Sequence, residues 1–132
     1  MKLLAILYAG LGILFTGPVA AQDAVTGNAR VLTADRLIVD ETQFFLFGID
    51  GFEEAQTCFI NGEPWACGAV AFRELQILAD VGPVTCVRQP DRNPRRMRFR
   101  WATCTAGGVD LAEAMVRAGL AFVVMDQSEQ YL

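Results

Sequence analysis

The chain contains no histidine. Without an imidazole neither a Ser-His-Asp nor a Cys-His arrangement can be built, and the commonest metal ligand is missing. No Cys-x-x-Cys pair occurs either, which argues against a zinc site or a thioredoxin-like redox centre. Lysine is almost as scarce, Lys2 being the only one, so arginine carries nearly all the positive charge. Any hydrolysis would have to run on carboxylates, arginines and a metal. A long apolar run is also lacking: residues 3–15 are uncharged and largely apolar, shorter than the roughly 18 residues that a membrane span needs.

That short run has the marks of a targeting signal. Lys2 supplies a positive start, and Val19-Ala20-Ala21 a small-residue cleavage site before Gln22. Residues 1–21 are read as a signal peptide and residues 22–132 as one domain of about 111 residues, exported to the periplasm or secreted, with no membrane span. Removing Lys2 takes the formal net charge from −4 to −5. A net acidic domain is not an obvious nucleic-acid binder, yet Arg88, Arg92, Arg95, Arg96, Arg98 and Arg100 fall within thirteen residues. That stretch is either a solvated hairpin face or a phosphate-binding patch.

Residues 24–39 alternate loosely between apolar and polar, with a bend at Gly27-Asn28, and read as two short strands. Asp40-Glu41-Thr42 is a turn, and residues 43–49 form a third strand antiparallel to the second. In a hairpin centred near Glu41, Asp35 lies across from about Phe47, with Asp50 two or three residues beyond. At about 3.3 Å per residue the two carboxylates can share one site, and the glycine-containing turn at Gly51 can fold Glu53 back onto it. Ordinary solvated acids at a strand end are the alternative.

Residues 54–66 read as a loop with Asn61-Gly62 as its turn. Residues 68–80 place Val70, Ala71, Leu75, Leu78 and Ala79 at helical spacing. Residues 84–87 and 97–103 read as two more strands, the second alternating Met97, Phe99 and Trp101 with Arg98 and Arg100. Four cysteines in an exported chain point to two disulfides. Antiparallel pairing of those strands sets Cys86 beside Cys104, which leaves Cys58 for Cys67. Asp110 can cap a helix running to Arg117, with Leu111, Ala114, Met115 and Ala118 as its buried stripe. A short strand over residues 120–125 follows. The expected fold is a β-rich α+β domain: a five-stranded, partly open Greek-key barrel of the OB type with two packed helices.

The order Asp35, then Leu46-Phe47-Gly48-Ile49-Asp50 and Glu53, then Asp91-Arg92-x-x-Arg95, then Asp110-Leu111-x-x-x-Met115-Val116-Arg117-Ala118-Gly119-Leu120-Ala121 resembles the staphylococcal-nuclease-like, or thermonuclease, family. The resemblance covers nearly all of the mature chain, and the cysteine positions also look like those of exported bacterial members. It implies a calcium-dependent phosphodiesterase acting on DNA and RNA. Asp35, Asp50 and the Gly51 carbonyl would then hold Ca²⁺, Glu53 would activate water, and Arg95 would bind phosphate, with Arg36 and Arg92 nearby.

The chain departs from the family pattern where it matters most. Phe45 stands where members carry the other phosphate arginine, and a phenyl ring can neither donate to a phosphoryl oxygen nor neutralise its charge. The family's Asp-Gly-Asp-Thr is Thr33-Ala34-Asp35-Arg36, so one outer carboxylate is missing and a cation sits beside the other. Residues 128–132 stand where members begin a third helix, expected here to be absent or truncated. These departures imply a pseudoenzyme, a monomeric module for single-stranded or duplex nucleic acid or for a protein partner, with an active nuclease as the alternative.

Overall fold

The computed structural model describes residues 23–132; the leader assigned to residues 1–21 lies outside them. The described chain is a β-rich α+β fold with two helices and a mostly antiparallel sheet. Strands β1 (Ala24–Gly27) and β2 (Ala29–Thr33) are separated only by Asn28. After the Ala34-Asp35 turn come β3 (Arg36–Val39) and β4 (Thr42–Leu46). Residues 24–39 therefore hold three strands rather than two.

The β3/β4 turn is a two-residue one, with Asp40 and Glu41 both in the left-handed region (φ 46° and 62°). Thr42 is already in the strand, opposite Val39. The pairing consequently shifts by one residue from the expected register: Asp35 lies across from Leu46, whose N–H donates to the Asp35 carbonyl at 2.9 Å. The strand read as residues 43–49 also breaks at Gly48 (φ 84°). Beyond the break, β5 (Ile49–Gly51) leaves the main sheet and pairs antiparallel with β11 (Ala121–Val123). Asp50 thus belongs to the strand that meets the C-terminal part of the chain.

The stretch 54–66 is more structured than a loop. It folds as a hairpin, β6 (Cys58–Ile60) and β7 (Glu63–Trp65), about the left-handed pair Asn61-Gly62. Helix α1 (Cys67–Ala79) follows, burying Cys67, Gly68, Ala71, Leu75 and Ala79 while Val70 is 45% exposed. Strands β8 (Val84–Arg88) and β9 (Trp101–Ala106) pair antiparallel with Cys86 opposite Cys104. The bonds are Cys86–Cys104 and Cys58–Cys67, the first buried in the core and the second tying the β6/β7 hairpin to the start of α1. Two such bonds fit an oxidising compartment. No helix of the described residues is long and apolar enough to cross a membrane.

The strand expected over residues 97–103 begins only at Trp101. Side chains win the preceding segment from the sheet: Asp91 accepts from the Asn93 N–H (2.8 Å) and Asn93 from the Arg95 N–H (3.0 Å), which starts a run of turns through Phe99. Short strand β10 (Val109–Asp110) returns along β9 and leads into helix α2 (Leu111–Arg117). Asp110 caps it, accepting from the N–H groups of Ala112 and Glu113. Its other oxygen accepts from the hydroxyl of Tyr131 at 2.9 Å, and burial together with the Asp110 charge raises the Tyr131 pKa, keeping that donor protonated. Leu37, Val39, Leu46, Ile49, Leu75, Val84, Leu111 and Met115 are fully buried between the sheet and the two helices.

The order across the main sheet is β1-β8-β9-β4-β3-β2, every pair antiparallel except β4 with β9. That parallel pair sets Phe45 against Trp101, and so places the aromatic replacement beside a second ring. At Gly68 a Cβ would lie 1.8 Å from the Glu53 carbonyl oxygen, so the first turn of α1 presses directly on the segment that follows β5. Gly68→Ala is expected to destabilise the fold by about 1–3 kcal/mol, read as a fall in melting temperature. Gly82→Ala, where an added Cβ meets nothing within 4 Å, is expected to stay within about 0.5 kcal/mol of the parent. Equal melting temperatures for the two variants would show that the α1 contact is slack.

Candidate nucleic-acid interface

Asp35, Asp50 and Glu53 approach one another through two backbone contacts. Gly51 comes so close to the Ala34-Asp35 turn that a Cβ would sit 2.8 Å from the Ala34 carbonyl carbon, and its N–H reaches Asp35 Oδ2 at 3.4 Å. Asp50 and Glu53 flank Gly51 in sequence. Partial burial and the negative charges of Asp35 and Glu53 raise the Asp50 pKa. The three acids expected at this turn thus influence one another's charge, while only Asp35 and the Gly51 backbone are in direct contact.

Calcium would ask for about six to eight oxygen ligands. Of the three carboxylates Asp35 is already engaged: its Oδ1 accepts from the Thr33 hydroxyl at 2.7 Å, its Oδ2 from the Gly51 N–H, and the Arg36 guanidinium lies 3.9 Å from Oδ1. Among the described residues no three acidic or cysteine side chains converge as metal ligands. As placed, the donor set does not fit a calcium cage.

Arg36 connects this cluster to a second group. Its Nε donates to Thr33 Oγ1 at 3.0 Å, and its guanidinium carbon lies 5.5 Å from the centre of the Phe45 ring. Strand alternation sends Phe44 and Leu46 into the core and leaves Phe45 half-buried on the other face. There Phe45 packs against Phe99 (ring centres 4.8 Å apart) and Trp101 (5.2 Å), and the Arg98 guanidinium sits 4.8 Å over Phe99. The Trp101 indole N–H donates to the Arg96 carbonyl at 2.9 Å, which fixes its ring plane. Phe99, Trp101 and Met97 then line an open cleft of about 350 Å³ with Pro90, Arg88 and Gln89.

Arg95 and Arg92 are not brought to the carboxylates. Arg95 is exposed in the turn after Pro94, and neither arginine enters an ion pair among the described residues. Arg92 instead borders a second open cleft with Phe47, Met125 and Gln127. The position beside Phe45 belongs to Phe99. The alternation Met97-Arg98-Phe99-Arg100-Trp101 carried the signal for a platform of rings between cations, but as a strand pattern it reads equally well as a half-buried face.

Asp91 holds this segment in place. Its side chain is 1% exposed and accepts from Arg96 Nε (2.8 Å), Arg96 Nη2 (3.4 Å), the Asn93 N–H (2.8 Å) and the Gln127 side-chain amide. Gln127 also accepts from the Gly48 N–H at 2.9 Å, and Arg96 pairs with Asp126 at 3.0 Å. Burial alone would raise the Asp91 pKa, but the hydrogen bonds from Arg96, Asn93 and Gln127 outweigh it and hold the carboxyl below its ordinary value. These bonds also keep Arg96 charged, against its own burial.

The two shifted aspartates have opposite linkage. Asp91 contributes stability above the unfolded carboxylate pKa of about 3.9 and loses it as pH falls through its lower folded value. Asp50 costs stability while ionised, and the cost is relieved as pH falls through its raised folded value. Asp91→Asn should therefore lower stability at pH 7 by about 1–3 kcal/mol, with the deficit shrinking in acid below the usual carboxylate range. Asp50→Asn should raise the melting temperature at pH 7 by about 1–2 °C, with the gain vanishing in acid. Thermal melts of both variants from pH 7 downward check the signs, and a destabilised Asp50→Asn at pH 7 would refute the repulsive cluster. In comparison with known proteins, no family model and no curated protein matches the chain.

Proposed function

We propose that the chain is a staphylococcal-nuclease-like domain, exported to the periplasm or beyond the cell, that binds single-stranded nucleic acid and has lost efficient cleavage. The observation that carries this reading is the ring cluster Phe45, Phe99 and Trp101, set between Arg36 and Arg98 and bordering an open cleft. Rings flanked by cations suit a strand whose bases stack and whose phosphates are neutralised, and each stacked base contributes about 1–3 kcal/mol. The surrounding Arg88, Arg98 and Arg100 are exposed and make no ion pair among the described residues. They give an acidic domain one locally basic face.

Sheet connectivity supports an OB-type Greek-key barrel. The sheet order ends on β1 and β2, which are consecutive in the chain across Asn28, and a Cβ added at Gly27 would lie 3.6 Å from atoms of Val39 and Asp40. Taking β1 and β2 as one bent strand leaves five principal strands with β3, β4, β8 and β9, and brings the two ends of the order together. Such barrels commonly bind oligonucleotides across their strands.

The calcium-dependent nuclease keeps one observation in its favour, the grouping of Asp35, Asp50 and Glu53 around Gly51. Against it stand the donor set described above and the absence of a cation at Phe45. A missing preorganised donor of that kind commonly costs on the order of 10²–10³ in rate.

Titration of the protein with a dT15 oligonucleotide, followed by tryptophan fluorescence, tests the binding reading. Affinity should fall with salt, with a slope of roughly −0.7 per phosphate neutralised, and Trp101→Ala should weaken binding by about 10- to 100-fold. Plasmid and RNA degradation with calcium or a chelator should proceed at the same background rate for the parent and Glu53→Gln. Calcium-dependent cleavage that Glu53→Gln abolishes would establish the nuclease, and absence of oligonucleotide binding would end the proposal.

A further inference from the structure

The lining of the cleft beside the rings divides into an apolar part and a polar part, the rim. Met97, Phe99 and Trp101 provide apolar surface, and the volume of about 350 Å³ is at the small end of ligand pockets, enough for one nucleobase with its sugar. Phe45 does not line the cleft but supports Phe99 and Trp101 from behind. Because the Trp101 N–H is spent on the Arg96 carbonyl, the indole offers a base its face and no hydrogen bond. Reading of the base edge must come from the rim.

Three rim residues are tied to the platform through their backbones. The Gln89 N–H donates to the Trp101 carbonyl at 2.8 Å, and the Arg88 N–H to the Asp23 carbonyl at 3.2 Å. Their side chains are uncommitted: among the described residues no hydrogen bond or ion pair engages the Asp23 carboxylate, the Gln89 amide or the Arg88 guanidinium. Asp91 also borders the cleft, but its oxygens are taken by Arg96, Asn93 and Gln127. The free groups are thus one double acceptor, one mixed amide and one cation.

We infer that this cleft is a base-selective subsite for guanine within the single-strand interface, with Asp23 and Gln89 reading the base edge and Arg88 holding the adjacent phosphate. The inference rests on the strand-binding reading above. A carboxylate needs two neighbouring donors, and of the four bases only guanine presents them, at N1–H and the 2-amino group. Its O6 accepts from the Gln89 amide. Uracil and thymine offer one donor, N3–H, with a carbonyl on either side, so the second carboxylate oxygen faces an acceptor, while adenine and cytosine supply a single donor beside an acceptor. Arg88, a planar cation at the rim, suits a phosphate oxygen pair.

The test is calorimetric and fluorescence titration of the whole chain with guanosine, adenosine, cytidine and uridine 5′-monophosphates, beside dT15 and a dT15 carrying one central dG. Guanosine monophosphate should bind at least about 10-fold more tightly than uridine monophosphate, and the single dG should strengthen oligonucleotide binding. Asp23→Asn should bring the guanosine-to-uridine ratio close to one. Equal affinity for the four nucleotides, or a preference that survives Asp23→Asn, overturns the subsite even where dT15 still binds. Failure of dT15 together with failure of all four nucleotides overturns both the subsite and the strand-binding reading, whereas selective guanosine binding without dT15 binding upholds the subsite alone.

Discussion

One buried carboxylate organises the surface on which function rests. Removing Asp91 from water costs several kcal/mol unless its charge is fully compensated, and here the compensation comes from three residues in two separate parts of the chain. Arg96 and Asn93 belong to the turns that carry Phe99, and Gln127 belongs to the C-terminal segment. Gln127 in turn takes the Gly48 N–H at the point where β4 gives way to β5. The break that redirects Asp50 and the turns that present the rings therefore share one electrostatic anchor. Without the anchor the segment keeps its own turn bonds and the Arg96–Asp126 pair, but no ladder of sheet hydrogen bonds between Asn93 and Phe99.

From that anchor the surface unfolds as a sequence of contacts. Asp35 meets Arg36, Arg36 covers Phe45, and Phe45 supports Phe99 and Trp101, which open onto the cleft. An arginine in place of Phe45 would have set a second cation within about one ring width of Arg36, in a position to clamp a phosphate. The phenyl ring instead accepts Arg36 on its face and packs against two more rings. The side chain at this one position thus decides between a charged and an aromatic surface, while the strand pairing beneath it is indifferent to the choice.

The parts of this arrangement legible in the sequence are those set by local rules. Helical spacing located α1 and α2, Asp110 was readable as a cap, and cysteine placement on β8 and β9 pointed to the bond that forms. The acid grouping was legible too, although the hairpin register was one residue off because the turn closes on Asp40 and Glu41 alone. What escaped depended on tertiary competition. Residues 97–99 alternate like a strand, but side-chain capping by Asp91 and Asn93 captures them first. Arg95 follows the family spacing, yet that spacing says nothing about a segment folded into turns, so the residue ends in solvent. Asp23 carried no signal at all: it reaches the cleft only because β1 pairs with β8.

The charges decide how the two functional readings relate. Three carboxylates within one cluster repel a phosphodiester, and screening at physiological salt does not hide them over distances shorter than about 8 Å. On the proposed reading the cluster would push a strand away, across Phe45 toward Arg88, Arg98 and Arg100, where rings and cations would receive it. The acids and the rings are adjoining surfaces of opposite preference. Arg36, 3.9 Å from Asp35 and stacked on Phe45, lies on the boundary between them. Its charge would weaken a cation at the acids and strengthen a phosphate at the rings, so on the proposed reading the same guanidinium favours binding on both sides at once.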